Sequence, residues 1–70
     1  MKREAVKSSA IASIGYEGAS HTLEVEFSSG TIYQYHQVEA QTYRQFMKAP
    51  SKGRFLDAHI RDEYPCSRVR

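Results

Sequence analysis

The sequence predicts a small α+β domain in which a three-stranded antiparallel β-meander is followed by two helices packed on one face of the sheet. Three observations indicate this fold. The first half of the chain contains three short segments of β-branched or alternating apolar residues, separated by turn residues. The second half changes to a helical spacing of its apolar residues, interrupted by a proline. With 70 residues, the chain has the length of a single domain, which we place over residues 1–70.

The predicted strands cover residues 10–16, 22–27 and 31–36. The alternation is clearest in the second strand, where one face carries Leu23, Val25 and Phe27. The other face carries Glu24 and Glu26, which we expect to be solvated. This strand therefore has one face towards the core and one towards water.

The loop between the second and third strands decides which face carries the tyrosines. A two-residue turn would place Tyr33 and Tyr35 on the glutamate face. A three-residue loop, with Gly30 in the left-handed conformation, places them on the apolar face. We prefer this second register because it buries more apolar area. It leaves Ile32 on the outer face of the sheet, where we expect Ile11 to lie beside it.

Two helices follow Val38 in the prediction. The apolar stripe of the first helix consists of Tyr43, Phe46 and Met47. Pro50 ends this helix, because the residue before a proline disfavours helical backbone angles. Ser51 can cap a second helix, whose apolar residues follow at intervals of four: Leu56, Ile60 and Tyr64. We expect the chain ends, over about residues 1–6 and 65–70, to be frayed.

Composition argues against several classes of function. A lone Cys66 excludes an internal disulfide and fits a reducing compartment. The histidines have no metal-binding spacing, and nothing in the sequence orients a base beside the cysteine. No segment approaches the ~20 apolar residues of a membrane span. We therefore expect a cytoplasmic, non-catalytic protein without metal, cofactor, membrane contact or small-molecule substrate.

Charge is distributed unevenly along the chain. Through Thr42 there are three basic and five acidic residues, a net charge of −2. From Tyr43 onward there are seven basic and three acidic residues, a net charge of +4. Such a difference can direct a polyanion to one side of a protein, although so small a charge is also common on ordinary protein surfaces.

The start of the second helix is the candidate anion site. Free N–H groups at a helix start attract anions, and Lys52 and Arg54 would add positive charge there. Gly53 would let a phosphate approach closely. The alternative is an ordinary connection between helices with a serine cap. The complete set of expected binding residues is Arg44, Lys48, Ser51, Lys52, Gly53, Arg54 and Arg61.

Several short motifs together resemble one known family. They are SSAI at 8–11, IGY at 14–16, LEVEF at 23–27, a glycine at 30 followed by YxY at 33–35, and AxSxGxF at 49–55. In this order they are similar to the KTSC domain, a short module named for the C-terminus of lysyl-tRNA synthetase. The resemblance covers about residues 6–64. It departs from the family pattern at Glu39, where proline is usual, and at Asp57, where asparagine is frequent.

The resemblance implies a small bacterial or phage protein, or an appendage of a synthetase-like protein, with RNA or a tRNA-associated protein as its partner. Asp57 puts a negative charge beside the candidate loop and opposes this interpretation. The preferred register also disfavours base stacking on Tyr33 and Tyr35, since stacking needs exposed ring faces. The alternative function is a protein-interaction or structural module that uses a sheet edge or the outer face with Ile11 and Ile32. Salt should discriminate the two, because phosphate binding weakens steeply as salt rises.

Overall fold

Five strands in sequential order form one antiparallel sheet, and two helices pack on one of its faces. The computed structural model describes all 70 residues. The strands are β1 (Arg3–Ala5), β2 (Ile11–Glu17), β3 (Thr22–Phe27), β4 (Ile32–Tyr35) and β5 (Cys66–Arg68). The helices are α1 (Ala40–Lys48) and α2, which is α-helical over Lys52–Phe55 and continues as a π-helical turn over Leu56–Ile60. None of these helices has the length and apolarity that a bilayer span needs.

The register that places the tyrosines on the apolar face is confirmed. Val25 pairs with Tyr33, and Leu23 pairs with Tyr35. The Phe27 N–H donates to the Thr31 carbonyl at 2.9 Å, which leaves a three-residue loop between them. Gly30 has a φ of 95°, a left-handed value that other residues adopt only with strain. The odd loop length therefore sets the face on which every side chain of β4 lies.

The expected position of Ile11 on the outer face is wrong. Ile11 pairs with Phe27, and the next pair joins Ser13 to Glu26, so that Ala12 is an extra residue in β2. A bulge of this kind interrupts the alternation of faces along a strand. Ile11 consequently points into the core and is fully buried, whereas Ile32 lies outside that core cluster.

The predicted number of three strands is too low, because both chain ends form further strands of the sheet. β1 pairs with β2, and β5 pairs with β4, where we expected fraying over about residues 1–6 and 65–70. Each end supplies N–H and C=O partners to an edge of the meander that would otherwise be unpaired. Gly15 lets β1 approach closely, since a Cβ built on it would lie 2.8 Å from the Lys2 carbonyl oxygen.

The first helix ends where the sequence predicted, and the second begins there, but the second ends at Ile60 through a π-helical turn and leaves Tyr64 outside the helix. α1 ends at Lys48, and Ala49 before the proline is extended, with a ψ of 137°. The Ser51 hydroxyl accepts a hydrogen bond from the Arg54 N–H at 3.3 Å, as expected of a cap. Phe46 is fully buried and stacks on Phe55, with their ring centroids 5.4 Å apart. Side chains of both helices and of one sheet face thus form a single core, which includes Ile14, Leu23, Val25, Tyr35, Phe46, Leu56 and Ile60.

Candidate nucleic-acid interface

Most of the predicted binding residues lie on the outside of the two helices. Five of them are exposed: Arg44, Lys48, Ser51, Arg54 and Arg61. Lys52 and Gly53 are half-buried. The connection between α1 and α2 brings Lys48 within a few residues of Arg54, on either side of Pro50. Exposed cations therefore stand on both sides of this connection, and we call the following exposed residues the connection surface: Arg44, Lys48, Ser51 and Arg54.

Lys52 has a structural partner that the sequence did not indicate. Its Nζ donates to the carbonyl oxygen of Ala49 at 2.6 Å. That carbonyl directly follows the end of α1, where a positive charge is favourable. Lys52 thus ties the start of α2 to the end of α1, and its ammonium group is already hydrogen-bonded to the backbone.

Gly53 faces the protein. A Cβ built on it would lie 3.7 Å from the Cβ of Ala10, an ordinary van der Waals contact. The short α-helical part of α2, Lys52–Phe55, has four residues, and its cap already uses the Arg54 N–H. Because the serine cap already occupies one N–H donor of this helix start, the exposed cations are the more accessible groups for an anion.

Most of these cations have no carboxylate as an ion-pair partner. Arg61 pairs with Asp57 at 3.0 Å, as their spacing predicted, and both side chains are more than 60% exposed. Arg3 makes the other ion pairs of the structure, with Glu24 and Glu26. No carboxylate lies within ion-pairing distance of Arg44, Lys48 or Arg54 in the structure. The connection surface therefore keeps its positive charge.

A shallow groove of about 370 Å³ adjoins the connection surface. Its walls include Pro50, Arg54, Phe55 and His59. The Phe55 and His59 rings lie 4.6 Å apart, with 43° between their planes. The groove combines one free guanidinium group with aromatic surface, a combination that suits a polyanion carrying planar groups.

The glutamates of β3 are not the solvated face that we expected. Glu24 is only 6% exposed. Its carboxylate accepts hydrogen bonds from the Arg3 guanidinium and, at 2.8 Å, from Gln34 Nε2. Arg3 Nε also donates to Ser13 Oγ at 2.9 Å, and Ser13 Oγ donates to Glu26 Oε1 at 2.7 Å. β1 brings Arg3 onto this face, and the pairing of that strand gave no signal in the sequence.

This outer-face cluster is internally satisfied. Burial tends to raise the pKa of Glu24, but the hydrogen bonds from Gln34 and Arg3, together with the charge of Arg3, hold that pKa below its ordinary value. No buried side-chain nitrogen or oxygen in the structure lacks a hydrogen-bond partner. The cluster therefore fastens β1 to the sheet and presents no unpaired group for a ligand.

Comparison with known proteins assigns a family to this fold. A family model described as the KTSC domain matches residues 7–64. A KTSC domain protein from Yersinia pestis, known from a crystal structure, is 40% identical and superposes with a TM-score of 0.93 over 99% of this chain and 97% of that one. An uncharacterized protein of Stutzerimonas stutzeri is 38% identical over 64 residues, which are 91% of this chain and 90% of the relative.

Parts of larger proteins are similar as well. A lysine–tRNA ligase of Trichormus variabilis is 35% identical over 49 residues, which are 70% of this chain but 9% of the ligase. The lysine–tRNA ligase of a Nostoc species is 37% identical over the same length. The similarity is thus to one small segment of each ligase.

Proposed function

Because the chain belongs to the KTSC domain family, and because its connection surface carries cations without carboxylate partners, we propose that it is a non-catalytic module that binds RNA. The observation that carries the proposal is the exposed group Arg44, Lys48 and Arg54, none of which is ion-paired. Exposed, unpaired cations are the groups that neutralise phosphates and release the counterions condensed on a nucleic acid.

The relatives support the same direction. The chain is similar to a segment of enzymes named lysine–tRNA ligases. A small domain that recurs beside a tRNA-joining enzyme is suited to hold tRNA, or RNA of similar shape, while another domain performs the chemistry. We propose that this domain makes a contact with RNA of that kind.

Binding of this kind acts on the phosphate backbone. Arg44 and Lys48 on α1 and Arg54 on α2 would each contact a phosphate, while the Ser51 hydroxyl lies between the helices as a further polar group. Lys52 stays on the Ala49 carbonyl. Such contacts orient an RNA without reading its bases, so little sequence preference is expected. Asp57 lies one turn further along α2 and keeps the affinity modest.

The alternative function, protein interaction through the sheet, has less support. The outer face lacks the expected apolar pair, because Ile11 is fully buried and Ile32 is only 6% exposed. The two edge strands have three residues each. Short edge strands that carry charges, such as Arg3 in β1 and Arg68 in β5, resist pairing with another chain.

The test is a titration with a short single-stranded RNA, followed by NMR amide shifts and by fluorescence anisotropy. Three phosphate contacts predict a salt slope of about −2, which is a loss of affinity of roughly 20-fold between about 50 and 200 mM salt. Replacing both Lys48 and Arg54 by glutamine should leave a slope of about −0.7. The matched control replaces Lys2 and Lys7, exposed lysines of the first half, and should retain the original slope.

Two results would contradict the proposal. One is shift changes that avoid α1 and residues 48–54. The other is an affinity that does not respond to salt. Shifts confined to β1 or β5 on addition of a protein partner would favour the interaction-module alternative.

A further inference from the structure

A second groove, which the sequence did not indicate, lies where the end of α2 approaches β4 and β5. It consists of two adjoining depressions of about 370 and 260 Å³ that share three lining residues: Phe27, Tyr33 and Arg61. The larger depression also has Arg68 of β5 on its wall. We call this larger depression the β4–β5 groove. We expected the residues of β5 to belong to a frayed tail, so the second arginine of the groove, Arg68, was not foreseen.

The floor of the β4–β5 groove is aromatic. Phe27 and Tyr33 are both half-buried, and their rings meet edge to face, with centroids 5.9 Å apart. They belong to the apolar face of the sheet, but they lie at its margin, where they pack against the core cluster without being part of it. Each residue thus keeps some accessible surface, so Tyr33 lies at the rim of the core, whereas Tyr35 is buried in it.

The wall of the groove is positively charged. Arg61 and Arg68 are both exposed, and Arg68 has no carboxylate within ion-pairing distance. Asp57 partly neutralises Arg61. The lining of the larger depression contains no acidic residue and includes the residues Ser29 and Thr31, which carry hydroxyls, whereas the smaller depression has Asp62 on its wall. Charge complementarity therefore directs an anion to the larger depression.

This groove and the connection surface lie at opposite ends of α2. Ala10 lies on the wall of the groove, and the same Ala10 faces Gly53 at the start of α2. Along α2, Arg61 follows Arg54 by seven residues, roughly 10 Å at the rise of a helix. A single-stranded RNA that passes over the connection surface can therefore reach the β4–β5 groove by following α2.

We propose that the β4–β5 groove binds one unpaired nucleotide of a single-stranded RNA. The base lies against Tyr33 and Phe27, and the adjoining phosphate is bound by Arg61 and Arg68. The inference rests on the proposed RNA-binding function and adds a base contact to it. A run of aspartate and glutamate could satisfy the arginines, but its side chains have no aromatic ring to lie against the aromatic floor. The groove therefore matches a nucleotide better than a carboxylate chain.

The experiment compares a short oligo(A) RNA with an abasic ribose-phosphate oligomer of the same length, by fluorescence anisotropy with the full chain. Tyr33→Leu should weaken oligo(A) binding by about 5- to 150-fold, the effect of losing one stacked base, and leave abasic binding unchanged. Tyr33→Phe keeps the ring and should bind like the wild type. The phosphate in the groove adds one contact to the three of the connection surface, so Arg68→Gln should weaken binding of both oligomers and reduce the salt slope by up to about 0.7. Its matched control is Arg70→Gln, which removes the same charge outside the groove lining and should change the slope far less.

Direct mapping covers the case in which Tyr33→Leu does not fold. On the wild-type protein, oligo(A) should shift the amide signals of Ala10, Phe27 and Tyr33, and the abasic oligomer should shift Phe27 and Tyr33 much less. Absence of those shifts overturns the inference.

The outcomes separate this inference from the proposed function. Suppose RNA binds, and the Lys48 and Arg54 variants weaken it while the Tyr33 and Arg68 variants do not. The groove inference is then wrong and RNA binding at the connection surface stands. If no RNA binds at all, both are wrong. Competition by polyglutamate as effective as that by oligo(A) would overturn the nucleotide site in favour of an acidic peptide.

Discussion

Replacing Gly15 by alanine should destabilise the protein by about 1–2 kcal/mol, because β1 passes too close to this residue to accommodate a methyl group. The new Cβ would lie 2.8 Å from the Lys2 carbonyl oxygen and 2.9 Å from Arg3 Cγ. Since one of these atoms belongs to the backbone, β1 must move away from β2. Overpacking of this kind costs about 1–3 kcal/mol, and the reduced entropy of the unfolded chain offsets about 0.4–1 kcal/mol.

The displacement has a second consequence on the outer face. Arg3 donates to the carboxylate of Glu24, which is almost completely buried. If β1 detaches instead of shifting, Glu24 loses this partner, and a buried charge without its partner is strongly unfavourable. The loss of stability would then exceed the roughly 1–2 kcal/mol estimated from overpacking alone.

Urea denaturation of Gly15→Ala measures the effect, and Gly18→Ala is the matched control. A Cβ on Gly18 would find only the Tyr16 ring, at 3.9 Å, so this variant should be neutral or slightly more stable. The corresponding fall in melting temperature for Gly15→Ala is about 5–15 °C. Equal stability of the two variants would show that β1 does not pack on β2 as described.

Three further predictions concern the loop, the outer face and the cysteine. Gly30→Val should lower stability by about 1–3 kcal/mol, because its φ of 95° is strained for a β-branched residue even though no atom lies within 4 Å of the Cβ position; an unchanged melting temperature would refute the left-handed turn. The pKa of Glu24 is lowered in the folded protein, so the unfolded chain binds its proton first as the pH falls, and the stability contributed by this carboxylate is lost as the pH falls below 4.5 towards the folded value. Glu24→Gln should therefore reduce the loss of stability on acidification, measured by urea denaturation between about pH 3 and 6. Glu17→Gln, at an exposed position, should not reduce it. The same pH dependence in both variants would contradict the lowered pKa of Glu24. Cys66 is exposed, and Cys66→Ser should change stability by no more than about 0.5 kcal/mol, so that loss of the fold in this variant would disprove a passive thiol.

Local rules account for the parts of the fold that the sequence predicted correctly. The face of Tyr33 and Tyr35 follows from counting three loop residues before β4 and from a glycine where a positive φ is required. Pro50 ends α1, and Ser51 caps α2, because each acts on backbone groups within four residues of itself. Such effects extend over a few neighbours and can be read from the order of residues.

The candidate site was predictable only in part. The basic character of the connection surface follows from sequence, since exposed cations cluster around Pro50. The hydrogen bond of Lys52 to the Ala49 carbonyl does not, although only three residues separate the two, because it depends on which of several conformations the long lysine side chain adopts. Arg68 joins the β4–β5 groove only because β5 pairs with β4.

The order of residues was enough to predict the α+β class, the preferred register of β3 with β4, the C-terminal end of the first helix and the basic excess of the second half. The bulge at Ala12, the two edge strands, the burial of Glu24 and the groove beside Tyr33 became visible only in the folded chain. The difference lies in how far apart in the sequence the interacting residues are. Short polar strands have no hydrophobic period of their own, and they form because distant backbone groups at the sheet edges need partners. Which face a glutamate or an arginine finally occupies depends on those pairings.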